Sequence, residues 1–236
     1  MEFQTESGHS ETIFDINYHP TETNLLASCS YDGSVRVWDV SLNKLVSIND
    51  TTKQPPQSKF EKKIIYSCSW HPKLTKIAMC TVNGYLLVYD ALKGKLLSSL
   101  APKEGHPSYK VDWNKIEPKN ILMTSVANAI FVIGVMDQPK CSQLTVQRWY
   151  TSPAPVFGCA WSPRDSTIFI TGNKDGRVRI YDYSNIADGP IRTFEGHTKR
   201  VYNVIFNANL PNLIASGSDD RTIRIWDLNQ TTSTSI

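Results

Sequence analysis

The chain repeats itself with a period of about 45 residues, and no other feature constrains its fold as tightly. The pairs Trp38-Asp39, Tyr89-Asp90, Tyr181-Asp182 and Trp226-Asp227 mark four copies. The gap between the second and third pairs is double length, and Ile133-Gly134 falls where a degenerate copy belongs. Five units follow, at about 8–48, 60–100, 105–149, 152–194 and 196–236, which together read as one domain, 1–236. A unit this short cannot bury its apolar face alone, so neighbours have to stack.

Unit one shows the internal grammar. Gly8-His9 leads into an alternating run over 13–19, then Leu25-Leu26-Ala27-Ser28, then Tyr31-Asp32-Gly33, then Val35-Arg36-Val37-Trp38-Asp39. Alternation with period two marks half-buried strands, and Asp-Gly between two such runs marks a tight hairpin turn. A further strand follows over 44–48. No helical period appears anywhere. The expected fold class is all-β, with small four-stranded antiparallel sheets as its units. The connections are short except 49–63, which carries Pro55-Pro56 and several lysines and is expected as an enlarged surface loop.

Composition narrows the function. With 40% hydrophobic residues in 236, the chain can bury a real core. A formal charge of +3 excludes a polyanion binder driven by bulk charge. No apolar run reaches membrane-spanning length, and the polar, acidic start does not read as a secretory signal, so no membrane insertion is expected. Five cysteines are an odd number for a disulfide framework. Cys29, Cys68, Cys80 and Cys159 lie in apolar strands and read as buried fillers, whereas Cys141, in a Pro-Lys-Cys-Ser turn, is expected to be exposed. Reduced thiols fit a cytoplasmic chain, with nuclear or cytoskeleton-associated placement also open.

Gly-His, about thirty further residues, then Trp-Asp, with an Asp shortly before the Trp, is similar to the WD-repeat (WD40) family. The resemblance covers nearly the whole chain and implies a β-propeller with four strands per blade. Two short stretches, 10–15 and 155–159, point to a narrower likeness within that family. The resemblance also implies a buried quartet in which Trp donates to Ser, and His bridges Ser to Asp. Carried over, it is His9, Ser28, Asp32 and Trp38 in unit one, and His197, Ser216, Asp220 and Trp226 in unit five. Unit four keeps Thr171 and Asp175 but has Ser152 and Tyr181. Unit two has Met79, Asn83 and Tyr89. Unit three keeps His106 but has Ala127 and Ile133. Units one and five are therefore expected to be the most regular, and unit three the least.

The five histidines, His9, His19, His71, His106 and His197, spread over separate units without zinc-type spacing. No nucleophile–base–orienter set, phosphate loop or dinucleotide turn is present. The expectation is a non-enzyme with no cofactor and no metal.

Aligned first strands place an aromatic at one recurring position: Phe14, Tyr66, Tyr109, Phe157 and Tyr202. In the family this position faces the top of the channel. Five such rings could form a docking platform or merely pack against neighbouring blades. Rim candidates are Tyr31, Val82, Val126, Lys174 and Asp219 before each hairpin turn, and Thr12, Ile64, Pro107, Pro155 and Arg200 before each aromatic. The partner-binding set is thus the five rings with Tyr31, Lys174, Arg200 and Asp219. Arg36, Arg179 and Arg224 are expected in inter-blade ion pairs.

The expected function is a scaffold that binds one or more proteins or peptides through the top face. A structural subunit of a larger assembly (coat, pore or cytoskeletal), working through blade edges, is the alternative. A nucleic-acid binder stacking bases on the rings is the weaker one. Five units are few for this family, so a closed ring latched by 1–6, an open arc completed by a partner or second copy, and a piece of a longer array all stand. The open arc and the piece are favoured.

Overall fold

The computed structural model describes residues 8–51, 64–103, 105–125, 128–185, 189–230 and 234–235. The expectations for 1–6, for loop residues 52–63, for Val126 and Ala127, and for most of the terminal strand fall outside these residues. Every described segment is strand or connection.

Blade one is β1 (Ile13–Tyr18), β2 (Leu25–Ser30), β3 (Ser34–Asp39) and β4 (Lys44–Asp50). Blade two is β5 (Ile65–Trp70), β6 (Lys76–Thr81), β7 (Leu86–Asp90) and β8 (Lys95–Leu100). Blade three is β9 (Ser108–Trp113), β10 (Asn120–Ser125), β11 (Ala129–Met136) and β12 (Gln143–Thr151). Blade four is β13 (Val156–Trp161), β14 (Ile168–Asn173), β15 (Val178–Asp182) and β16 (Arg192–Phe194). Blade five is β17 (Val201–Phe206), β18 (Leu213–Ser218), β19 (Ile223–Asp227) and β20 (Thr234–Ser235). Each sheet is an antiparallel meander in chain order, and neighbouring blades meet through their first strands, β1 on β5, β5 on β9, β9 on β13 and β13 on β17. The described residues thus form five blades of a β-propeller.

Local chemistry sets the turns. The hairpin between the second and third strands needs a left-handed residue, supplied by Gly33, Gly84 and Gly176. Asn128 takes the place in blade three and Arg221, at φ 69°, in blade five. At the end of each first strand a side-chain acceptor holds the next turn. His19 Nδ1 accepts from the Glu22 N–H, and His71 Nδ1 from those of Lys73 and Leu74. Asn114, Ser162 and Asn207 do the same work in blades three to five. Two of the five histidines are thereby assigned to turn geometry.

The core lies between blades, in four apolar clusters that join five blades. Between blades one and two, Leu25, Ala27, Cys29, Val35 and Val37 receive Ile65, Cys68 and Trp70. The matching residues on the outer face of blade one meet no blade: Ile13, Ile16 and Tyr18 are 50%, 61% and 60% exposed, against 0%, 1% and 1% for Ile65, Cys68 and Trp70. On the far face of blade five, Ile223, matching the buried Val35, is 62% exposed. Among the described residues the arc is open, with an unpartnered interblade face at each end.

Two sequence expectations need correction. Cys141 is fully buried, because the turn that carries it folds onto blade two: Ser98 Oγ donates to the Cys141 carbonyl at 2.7 Å, and the thiol enters the blade two–three core. Arg36 and Arg179 pair within their own blades, with Asp32 at 3.9 Å and Asp175 at 2.5 Å, since four residues across a hairpin turn bring the two together. Blade three, expected as the least regular, has the widest first-strand bulge, two residues between Ser108 and Val111, yet also the longest strands among the described residues, eight in β11 and nine in β12, with β11 buried on both faces. Apolar packing replaces the missing polar network there.

Candidate functional site

The quartets form as ordered donor chains. In blade one the Trp38 indole N–H donates to Ser28 Oγ at 2.9 Å, Ser28 reaches His9 Nε2 at 2.8 Å, and His9 Nδ1 donates to Asp32 at 2.8 Å. Blade five repeats this with Trp226, Ser216, His197 and Asp220 at 2.8, 2.7 and 2.8 Å. Burial works to raise the Asp220 carboxyl pKa, but the Thr222 hydroxyl and His197 outweigh it and hold it far below the usual range. Asp32 is lowered in the same way, against burial, by Ser34 and His9. These groups tie the Gly-His loop to the hairpin and are spent on structure.

Blade four builds a substitute. Ser152 Oγ donates to Asn173 Oδ1 at 3.0 Å, and Asn173 Nδ2 donates to Thr171 Oγ1 at 3.1 Å. Asp175, without a histidine, is held by Arg179, which lowers its pKa against the opposing effect of burial. Asn173 was missed in the sequence because it occupies no quartet position. In blade three His106 is exposed.

The five aromatics do come together. Ring centres run Phe14–Tyr66 4.9 Å, Tyr66–Tyr109 4.6 Å, Tyr109–Phe157 4.9 Å and Phe157–Tyr202 5.4 Å. What aims them is a β-bulge repeated in every first strand. Ile13 pairs with Ser30 and Asp15 with Cys29, which leaves Phe14 as the extra residue. Tyr66, Phe157 and Tyr202 are left out of the ladder in the same way, and Tyr109 shares a two-residue bulge with Lys110. A bulge bends the strand and re-aims a side chain. The row is part exposed and part packed: Phe14 and Tyr202 at its ends are 44% and 43% exposed, and Phe157 only 5%.

With Asp15, Lys110 and Asn203, the five rings line a cavity of about 460 Å³. Its floor is an ion pair that crosses from blade three to blade one. Lys110 Nζ donates to Asp15 Oδ2 at 2.8 Å, and Ser67 Oγ donates to the same oxygen at 2.7 Å. Burial disfavours the Lys110 ammonium, yet the Asp15 charge outweighs it and lifts the pKa above the ordinary lysine value. Burial also pushes the Tyr66 and Tyr202 phenols up, so the rings stay neutral donors. Sequence reasoning missed Asp15 and Lys110. The signal was their place directly after the aromatic, a position that reads Asp15, Ser67, Lys110, Gly158 and Asn203 around the channel.

The rim expectations separate. Arg200 reaches the site: its guanidinium lies 5.0 Å from the Phe157 ring centre and 4.6 Å from that of Tyr202, and it pairs with Asp219 at 2.9 Å. Tyr31 is exposed, with its ring 6.3 Å from Phe14. Lys174 is exposed and Val82 half-buried, but neither lines the cavity. Among the described residues no cluster of His, Cys, Asp or Glu is placed to hold a metal, and no helix is long and apolar enough to cross a membrane.

Comparison with known proteins agrees with this architecture. The family described as "WD domain, G-beta repeat" matches residues 2–39, 143–182 and 188–227, half of the chain. Nuclear distribution protein PAC1 of Arthroderma benhamiae is 26% identical over 96% of this chain and 52% of its own length. E3 ubiquitin-protein ligase COP1 of Arabidopsis thaliana is 26% identical over 93% of the chain and 31% of its own length. Protein transport protein SEC31 of Dictyostelium discoideum is 24% identical over 74% and 13%. The chain thus spans about half the length, or less, of these relatives. Repeats, quartets and matched segments lead to one conclusion: the chain belongs to the WD-repeat family of β-propellers.

Proposed function

We propose that this chain is a non-catalytic scaffold that binds a protein or peptide through the aromatic mouth of its channel. The observation that carries the reading is the cavity walled by five bulge-directed rings. Aromatic side chains bring large contact area at low entropy cost and dominate interface hot spots. Phe14 and Tyr202 are exposed, so leucine at both positions removes ring area with little cost to the fold. Affinity capture with the Phe14→Leu/Tyr202→Leu chain, compared with wild type, tests the reading. Loss of a captured partner at unchanged melting temperature supports it. Full retention refutes it.

A second reading has its own observation: the open interblade faces of blades one and five. They repeat the apolar grammar of the internal interfaces, so they suit completion of the ring by further blades, or placement within an assembly. Fully burying an Ile or Tyr of such a face contributes about 1.5–3 kcal/mol. A partner retained by the ring variant and lost on Ile16→Asp would favour this reading. A cytoplasmic or nuclear setting is proposed with either reading. It is supported by five free cysteines, all buried. The narrower likeness suggested by 10–15 and 155–159, to WD repeat-containing protein seventeen, rests on those two stretches alone. The relatives reported above do not add to it.

A further inference from the structure

We propose that the aromatic cavity takes a cationic side chain, a guanidinium or an ammonium, of the bound peptide. This rests on the top-face reading and adds the chemistry of the occupant. Three observations carry it. The first is a cation already in place: Arg200 of the chain itself lies over the Phe157 and Tyr202 rings, within the distance at which a ring face attracts positive charge. It covers two rings of five; Phe14, Tyr66 and Tyr109 line the same cavity beyond its reach.

The second is the acceptor on the floor. Ser67 and Lys110 both donate to Asp15 Oδ2. Asp15 lines the cavity, and among the described residues no donor reaches its Oδ1, so the carboxylate keeps capacity to accept a hydrogen bond from a donor that enters. A purely apolar side chain would take water from that carboxylate without offering it a donor, at a cost.

The third is the charge balance. Lys110 is matched by Asp15, Lys115 by Asp112 at 3.3 Å, and Arg200 by Asp219. With no net charge on the floor, the negative ring faces set the preference. An anion would have to break one of these pairs while lying against those faces. The volume, about 460 Å³, admits one long side chain with part of its backbone.

The test uses four blocked tripeptides, acetyl-Gly-X-Gly-amide with X as arginine, lysine, norleucine or glutamate. Each is titrated into the full chain labelled with fluorotyrosine, and binding is read from fluorine NMR. Arginine and lysine peptides are expected to bind about tenfold more tightly than norleucine, with shifts at Tyr66, Tyr109 and Tyr202. Asp15→Asn should weaken the two cationic peptides and leave norleucine unchanged. Phe14→Leu, at an exposed ring, should do the same and keeps the ion pair intact. Norleucine or glutamate binding as tightly as arginine at the same tyrosines overturns the cation inference and leaves the top-face reading standing. Binding that shifts none of the three tyrosines overturns both. No binding by any peptide up to its solubility limit also overturns the inference.

Discussion

Ser216 is the hub of the blade five quartet, and Ser216→Ala isolates what that hub contributes. The change removes the hydroxyl that accepts from the Trp226 N–H at 2.8 Å and reaches His197 Nε2 at 2.7 Å. Trp226 is fully buried, so its N–H is left without water as well as without the serine. A lost hydrogen bond costs about 1 kcal/mol and a buried orphaned donor about 1–3 kcal/mol, giving about 2–4 kcal/mol in total. That is a large share of the roughly 5–15 kcal/mol typical of a domain. Urea unfolding read by tryptophan fluorescence measures it. The decisive comparison is the same change in a Trp226→Phe background, where no indole N–H exists to be orphaned. The coupling between the two positions should be at least about 1 kcal/mol. A coupling below about 0.5 kcal/mol would show that the serine matters for packing alone and that the donor chain carries no energy.

Three further outcomes follow from the same structure. Gly176→Ala places a Cβ 2.4 Å from the His197 carbonyl at φ +79°, so it should cost about 2 kcal/mol or more in a thermal melt, whereas Arg221→Gly, at φ 69°, should lose nothing. His71→Asn should flatten the acid side of the stability profile. Burial lowers the folded His71 pKa from 6.5 to about 4, so the unfolded chain takes the proton first and stability, complete above 6.5, falls as pH drops toward 4. Asparagine still accepts the Leu74 N–H, as Asn114 does for Glu117, and urea midpoints at about pH 7 and about pH 5 check the prediction. Tyr89→Phe should be neutral or stabilising, because that buried hydroxyl meets no partner among the described residues; a loss above about 1 kcal/mol in urea would contradict this.

Much of the fold was legible because its signals are local. Alternation gives the strands, Asp-Gly gives the hairpins, and a spacing repeated five times gives the blades. The quartets of blades one and five were legible for the same reason. The cavity floor was not. Asp15 and Lys110 are 95 residues apart, and only the curvature of the arc brings them to 2.8 Å. The bulge was also invisible: alternation predicts that Phe14 shares a face with Ile16, and only the ladder shows it leaving that face. Cys141 failed through the opposite error, a polar turn read by its own composition when the neighbouring blade decides its burial. The arginine pairs failed because the repeat reports position along a blade and not which blade an ion pair will join.

The bulge also separates two demands that a strand usually makes together. A one-residue change of register in an ordinary strand turns its core side chains outward. Within the bulge the extra residue belongs to neither face, so its identity is free of the alternation that builds the core on either side. Val201 and Val204 stay buried around an exposed Tyr202, and Ile65 and Cys68 around a half-buried Tyr66. At the exposed positions Phe14 and Tyr202 the mouth of the channel can therefore vary on a fixed frame. A different side chain at either of them would change the surface the mouth presents while the packing beneath stayed as it is.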